Sequence, residues 1–89
     1  MKKIFKYPLS WGKTRLWVPK DAETLTVQLQ NDVPHVWMFV DESKEIEERA
    51  FVMIPTGENT TQTIERYVGT IQLKGYVSHV FEALARKPI

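Results

Sequence analysis

The segment that most constrains the fold is residues 25–40, where two strand-like patterns flank a turn. Leu25, Val27 and Leu29 alternate with Thr and Gln, which is the period of a strand with one apolar face. Residues 31–34, Asn-Asp-Val-Pro, have turn chemistry, and residues 35–40 are almost wholly apolar. The sequence therefore predicts an antiparallel hairpin with a four-residue connection, whose second arm lies at the centre of a sheet and is covered on both faces.

Five further segments have the composition of short strands: residues 4–7, 13–18, 49–54, 67–73 and 76 to about 82. Prolines end the first two, Pro55-Thr56-Gly57 ends the third, and Lys74-Gly75 predicts a tight turn between the last two.

Three stretches are also compatible with helix. Residues 41–48 and 59–66 each fit a helical turn, and residues 76–86 fit helical spacing as well as a strand. Because Tyr, Val and Phe prefer strands, we expect a strand to about Glu82 and a helical or frayed tail to Pro88. Seven short strands at near-regular spacing predict an all-β fold, a small antiparallel sandwich or barrel of about six to seven strands, with or without one or two short helical turns.

Composition limits what a chain of 89 residues can be. This length predicts a single domain, residues 1–89, and a domain of this size buries only roughly 60–65% of its unfolded surface, so assembly into a homo-oligomer is a common remedy. The absence of cysteine excludes disulfides, thiolate catalysis and Cys-based zinc sites. No apolar run approaches the ~20 residues needed to span a bilayer, and no signal peptide is evident, so we expect a cytoplasmic protein with no membrane partner.

Charge is unevenly distributed along the chain, although the net charge is only +1. Residues 1–20 hold six basic side chains and no acidic one, so the remainder sums to −5 (+1 minus +6), and five carboxylates fall within residues 41–48. Such segregation suits an anionic partner or a head-to-tail contact between copies; two solvated loops explain it equally well.

The basic segment also carries aromatic residues: Phe5, Tyr7, Trp11 and Trp17. Rings that stack and cations that attract phosphates are the combination found at single-strand binding sites. Because Lys6 and Tyr7 point to opposite faces of a strand, however, we do not expect one continuous surface, and nucleic acid is not the expected partner.

Several short motifs occur in this chain in the same order as in a known protein family. The motifs are Tyr7-Pro8-Leu9, Val27-Gln28-Leu29-Gln30, Val36-Trp37, Val40-Asp41, Glu48-Arg49-x-Phe51, Pro55-Thr56-Gly57, Tyr67-Val68-Gly69-Thr70-x-Gln72 and His79-Val80-Phe81-Glu82. Across residues 4–82 the chain is similar to a family of small phage-encoded domains of unknown function, in which Gly-Thr-Gly more often stands where this chain has Pro55-Thr56-Gly57. The resemblance implies a phage origin and no stated activity.

Catalytic, metal and cofactor sites are not expected. His35 and His79 are the only histidines, whereas zinc sites usually take three or four protein ligands. Ser78 points to the opposite face of a strand from His79, which excludes a catalytic dyad. Glycine-rich nucleotide motifs are missing, and residues 41–48 lack the spacing and glycine of a calcium loop.

Candidate ligand-binding residues lie on strands that we expect to be neighbours. Gln28, Gln30, Thr70 and Gln72, with Trp37, Arg49 and Tyr67, would line a cleft that offers amides, a ring and a cation to a small polar anion. Thr56 and Gly57 open a hydroxyl-rich loop whose backbone N–H groups can hold an anion. His79 is expected to be partly buried if it shares a face with Val77 and Phe81. The candidates are therefore Trp37, Arg49, Thr56, Gly57, Tyr67 and His79, against the alternative of ordinary surface polar residues and an ordinary turn.

The sequence thus predicts a non-enzymatic binding protein of phage type, an anti-defence protein that sequesters a small anionic nucleotide-type signal within or between subunits. Two alternatives stay open. The chain would either cover a host effector protein through surface contact, or serve as a virion or assembly component that associates through strand edges.

Overall fold

The computed structural model describes residues 1–84, and these residues form two antiparallel sheets and no helix. The predicted all-β fold is confirmed, in the form of a sandwich. The strands are β1 (Lys2–Pro8), β2 (Lys13–Pro19), β3 (Glu23–Gln30), β4 (Val33–Asp41), β5 (Ile46–Pro55), β6 (Ile64–Leu73) and β7 (Tyr76–Ala83). The three-stranded sheet has the order β1-β4-β3, and the four-stranded sheet has the order β2-β5-β7-β6.

The hairpin of β3 and β4 is present, but its connection is shorter than expected. Gln30 pairs with Val33, so only Asn31 and Asp32 lie in the turn, with φ values of 50° and 64°. Two consecutive left-handed residues make a turn whose twist matches that of the flanking strands, and Asn and Asp tolerate that conformation. Val33 and Pro34 therefore belong to β4 rather than to a four-residue loop.

Strand β4 is the centre of its sheet, as predicted, but only one of its faces is fully covered. Val36, Met38 and Val40 have no exposed surface and point to the other sheet. Trp37 and Phe39 are half-buried, because within residues 1–84 no second layer packs on the outer face of the three-stranded sheet.

Side chains from both sheets fill the space between them. Val27, Val36 and Met38 of one sheet meet Phe51 and Val80 of the other in the largest buried cluster. Strand β6 packs closely against β3 at Gly69, where an added Cβ would lie 2.8 Å from Cγ1 of Val27. The absence of a side chain at Gly69 therefore permits this close approach between the two sheets.

The helical turns considered for residues 41–48 and 59–66 do not form. Strand β5 begins at Ile46, because Pro19, Val18 and Trp17 of β2 pair with residues 46–48 and satisfy their backbone groups in a ladder. Residues 59–63 are a loop before β6. The tail expected after Glu82 lies mostly outside the described residues, and β7 itself runs to Ala83.

A short turn joins β4 to β5. The Ser43 amide and hydroxyl both donate to Oδ1 of Asp41, at 3.0 and 2.6 Å, and these bonds lower the pKa of the Asp41 carboxyl. Inside the sandwich, burial raises the pKa of the Tyr7 phenol. No helix among residues 1–84 is long and apolar enough to cross a membrane.

Candidate functional site

A chain of hydrogen-bonded side chains runs across the outer face of the four-stranded sheet. Thr56 Oγ1 lies 2.7 Å from His79 Nε2, His79 Nδ1 lies 3.0 Å from Thr70 Oγ1, and Thr70 Oγ1 lies 2.6 Å from the Tyr67 hydroxyl. We call Thr56, Tyr67, Thr70 and His79 the hydroxyl–imidazole array. Thr56, Tyr67 and His79 are among the candidate ligand-binding residues of the sequence, and Thr70 was predicted to line the same cleft as Tyr67.

Strand register places the array on one face. Thr70 of β6 and His79 of β7 are direct cross-strand partners. Tyr67 is three residues from Thr70, so in a regular strand the two would face opposite sides. A bulge between Tyr67 and Gly69 shifts the pairing by one residue and brings the Tyr67 ring back to the face of Thr70.

The array is satisfied in either neutral form of the imidazole. Thr56 Oγ1 is also 3.3 Å from the carbonyl oxygen of Val77, so its proton has a second acceptor when His79 Nε2 donates to it. When Nδ1 carries the proton instead, the Thr70 hydroxyl accepts and Thr56 donates to Nε2. The array is therefore an ordered polar surface. The Tyr67 ring lies at one end of it, is 56% exposed and packs edge-on against Phe81.

Thr56 and Gly57 form the turn that leaves β5. The Glu58 amide donates to the Pro55 carbonyl at 3.1 Å, and Gly57 has a φ of 87°. This is the third position of a turn that requires positive φ, and glycine meets it without strain. The Thr56 amide donates to the Val77 carbonyl at 3.0 Å, so the turn is bound to β7 beside the array.

An apolar notch lies at the neighbouring end of the sandwich. Trp11, Pro55, Tyr76 and Ser78 line a depression of about 310 Å³. Trp11 is 56% exposed and Tyr76 is 73% exposed, so two large rings face solvent around a proline. The Met53 amide donates to the Gly12 carbonyl at 2.9 Å, which holds the turn carrying Trp11 against β5. Ser78 of the notch and His79 of the array are consecutive residues of β7 and point to opposite faces of the sheet, so the notch and the array do not share a face.

Arg49, the cation expected to bind an anion, is bonded within the fold. Its guanidinium donates to Glu82 Oε2 at 3.1 Å from Nε and at 3.0 Å from Nη2, and to the Ala22 carbonyl at 2.8 Å. Its side chain is 20% exposed and that of Glu82 14%. The ion pair joins the four-stranded sheet to the backbone leading into β3, and Thr24 of β3 donates to Glu82 as well.

A larger concavity of about 640 Å³ opens beside this ion pair, at the edge that carries Trp17. Its lining is acidic, with the carboxylates of Glu47, Glu48, Glu65 and Glu82. A small anion would therefore meet negative charge there.

The remaining candidates do not share one cleft. Trp37 lies on the outer face of the three-stranded sheet, opposite Lys6 and Thr26 in register, on the far side of the sandwich from His79. Gln28 and Gln30 lie on the Trp37 side and Gln72 does not. The structure brings together Thr56, Gly57, Tyr67 and His79, and separates them from Trp37 and Arg49. Thr70 was predicted to line a cleft, but its bridging position between His79 and Tyr67 was not predicted, and neither was the notch, because a bulge and a loop contact create them.

The basic and acidic segments of the sequence lie next to each other on the surface of the folded chain. Pairing of β1 with β4 and of β2 with β5 brings the basic residues beside the acidic ones. Lys3 lies 2.8 Å from Glu42, Arg15 lies 3.2 Å from Glu48, and Lys20 lies 3.7 Å from Glu45. The basic segment of the sequence thus forms ion pairs with the acidic segment of the same chain. In residues 1–84 no three His, Asp or Glu side chains are grouped as a metal site.

Comparison with known proteins gives one family. The model of a family described as a domain of unknown function (DUF7352) matches residues 1–88, which agrees with the resemblance at the level of an unknown-function family. No curated protein and no solved structure matches the chain.

Proposed function

Because this chain belongs to the DUF7352 family of domains of unknown function, we propose its function from geometry: it is a non-enzymatic protein that binds a partner protein. The observation that carries the proposal is the exposed Trp11–Tyr76 notch. Exposed Trp and Tyr side chains around an apolar recess are typical of the energetic centre of protein interfaces.

The occupant of the notch is an apolar side chain of the partner. The notch has no charged side chain in its lining, so it suits an apolar side chain or a proline better than a nucleotide with its phosphates. The rings of Trp11 and Tyr76 are the contacts that we expect to carry most of the binding energy, because Trp and Tyr are enriched among the residues that dominate interface energetics.

This geometry favours surface contact over the sequestration of a small anion. The cation expected for that role, Arg49, is neutralised by Glu82, and the larger concavity is acidic. Within residues 1–84, the array has no lysine or arginine bonded to it.

Strand edges argue against assembly by edge pairing. Strands β3 and β6 carry bulges, and β1 and β2 carry basic residues and end in Pro8 and Pro19. Bulges, basic side chains and prolines are the devices by which natural sheets prevent strand addition. A virion or assembly role through these edges is therefore not favoured.

The likeness to phage-encoded domains makes a protein of the host bacterium the partner that we propose, in the host cytoplasm. A defence effector is the class we expect, because a small protein without catalytic groups can inhibit an effector by covering it. The anti-defence role rests on the resemblance and the binding role rests on the notch.

The test is recovery of a host protein by the tagged chain, followed by affinity measurements with that protein in purified form. Trp11→Ala combined with Tyr76→Ala should weaken binding by about 2 kcal/mol or more, roughly 30-fold in Kd. Trp17→Ala is the matched control, because Trp17 is about as exposed as Trp11, at 62%, but lines the acidic concavity and not the notch. The control should bind as the wild type does.

Two results would contradict the proposal. One is that no protein binds in a manner sensitive to the notch. The other is a shift in melting temperature with a cyclic or linear nucleotide that His79→Gln abolishes, since this would assign the array to a small ligand.

A further inference from the structure

The outer face of the three-stranded sheet carries a row of rings that the core does not use. His35, Trp37 and Phe39 occupy alternate positions of β4, and all three are half-buried on that face. The rings of His35 and Trp37 are 5.9 Å apart between centroids. Rings at this spacing along a strand can each stack with one of the successive bases of an extended single strand.

Two lysines of β1 reach over this row. Register places Lys2 opposite Asp41 and Lys6 opposite Trp37, which puts both on the outer face. Lys2 Nζ lies 5.2 Å from the centroid of the Phe39 ring. Lys6 Nζ donates to Gln30 Oε1 of β3, so its side chain crosses the central strand.

Within residues 1–84 neither Lys2 nor Lys6 forms an ion pair, whereas Lys3, Lys20 and Lys44 each do. Lys2 has Asp41 as its register partner and Lys6 has Trp37, so the charge of Lys6 is the one best placed to attract phosphates beside the rings. On the other flank, Thr26 and Gln28 of β3 are opposite Trp37 and His35 and offer hydrogen-bonding groups.

We propose that this face binds single-stranded nucleic acid, with Trp37 and its neighbouring rings stacking on bases, Lys2 and Lys6 contacting phosphates, and Gln28 contacting a base edge. Phosphates lie nearer Lys6 than Lys2, because Glu23 and Asp41 occupy the Phe39 end of the face. The sequence did not indicate this site, because it depends on the register of β1 against β4. The aromatic residues of residues 1–20 take no part in it, since Phe5 and Tyr7 pack on the core.

A short polyanion suits the face better than a second copy of the chain does. Three strands of up to nine residues make a footprint of about 30 by 15 Å, on the order of 450 Å² in projection, against roughly 800 Å² per partner in a standard interface. A second copy would also bury the Lys6 ammonium, which lies across the face with an amide oxygen as its partner.

The test is fluorescence anisotropy of labelled oligo(dT) and oligo(U) with the full chain at low salt. Trp37→Leu should weaken binding about 10-fold or more through the loss of one stacking ring. Lys6→Gln should reduce the slope of log K against log salt by about 0.7, the value for one phosphate contact on a single strand. Trp17→Leu is the control and should change neither. Circular dichroism and urea unfolding verify that each variant is folded.

Comparing the two oligonucleotides distinguishes RNA from DNA as the ligand. A preference for oligo(U) would indicate a contact to the 2′-hydroxyl, whereas equal binding would indicate contacts only to the bases and phosphates that RNA and DNA share. The proposal is overturned if wild-type chain at about 100 µM, the weak end of non-specific affinities, binds neither. It is also overturned if Trp37→Leu and Trp17→Leu bind equally, or if light scattering shows a dimer that Trp37→Leu abolishes. Trp11→Ala should keep full oligonucleotide binding, because Trp11 lies outside this face. The notch proposal and the nucleic-acid proposal can therefore fail independently of each other.

Discussion

At the scale of single residues, the polar side chains of this protein divide into those that hold the sheets together and those left on the surface. The sequence predicted Arg49 as the cation of a site for a small polar anion. Its partners, Glu82 and the Ala22 carbonyl, are 33 and 27 residues away along the chain. Conversely, the structure places the half-buried His79 in contact with Thr56, a contact that the sequence did not indicate.

Replacing Arg49 should test its structural role. Arg49→Met leaves the Glu82 carboxylate without its fork of donors in a site that is mostly shielded from water, so the free energy of unfolding should fall by about 2–3 kcal/mol. Lys20→Met, which removes an exposed cation, should change it by no more than about 0.5 kcal/mol. Urea unfolding of both variants makes the comparison, and equal midpoints would contradict the assignment.

Gly69 should be sensitive to a single methyl group. Gly69→Ala would place its Cβ 2.8 Å from Cγ1 of Val27, a buried and stiff side chain, so a loss of about 1–3 kcal/mol is expected. In the double variant with Val27→Ala the clash disappears, and the total loss should be smaller than the sum of the two single losses. A double-mutant cycle from urea unfolding measures this coupling, and strict additivity would show that the sheets do not meet at Gly69.

At the scale of elements, sequence patterns predict the presence of each strand well, but they predict strand ends and bulges poorly. The alternation of Leu25, Val27 and Leu29 and the apolar run after them identified β3 and β4. The acidic residues after Asp41 hid the start of β5, because a charge run resembles a loop when its partner strand is unknown. The bulge beside Gly69 gives no periodic signal, yet it decides which face Tyr67 occupies.

The turn between β3 and β4 gives an element-level prediction. Asp32 has a φ of 64°, where a β-branched side chain is strained, so Asp32→Val should lower the free energy of unfolding by about 1–2 kcal/mol. Asp32→Gly should be at least as stable as the wild type, since Asn-Gly is the preferred sequence for such turns. Were the connection a looser four-residue loop, thermal melts of the two variants would coincide.

At the scale of the whole molecule, the sandwich presents three separate surfaces, and each carries one of the three tryptophans. Trp11 belongs to the notch, Trp37 to the ring row of the three-stranded sheet, and Trp17 to the acidic concavity at the edge strand β2. The sequence identified several of these residues individually, but their separation onto different faces follows from strand order and register, which pair segments far apart in the chain. A protein of this size can thus hold one partner on one face while another face stays open.

The proposed binding role depends above all on which tryptophan the partner covers. Hydroxyl-radical footprinting, read by mass spectrometry of the free chain and of its complex with the host protein it recovers, reports side-chain exposure at all three positions in one experiment. We expect oxidation of Trp11 to fall strongly in the complex while that of Trp17 and Trp37 stays at the level of the free chain. Protection of Trp37 or Trp17 with Trp11 still reactive would show that the notch is not the binding site.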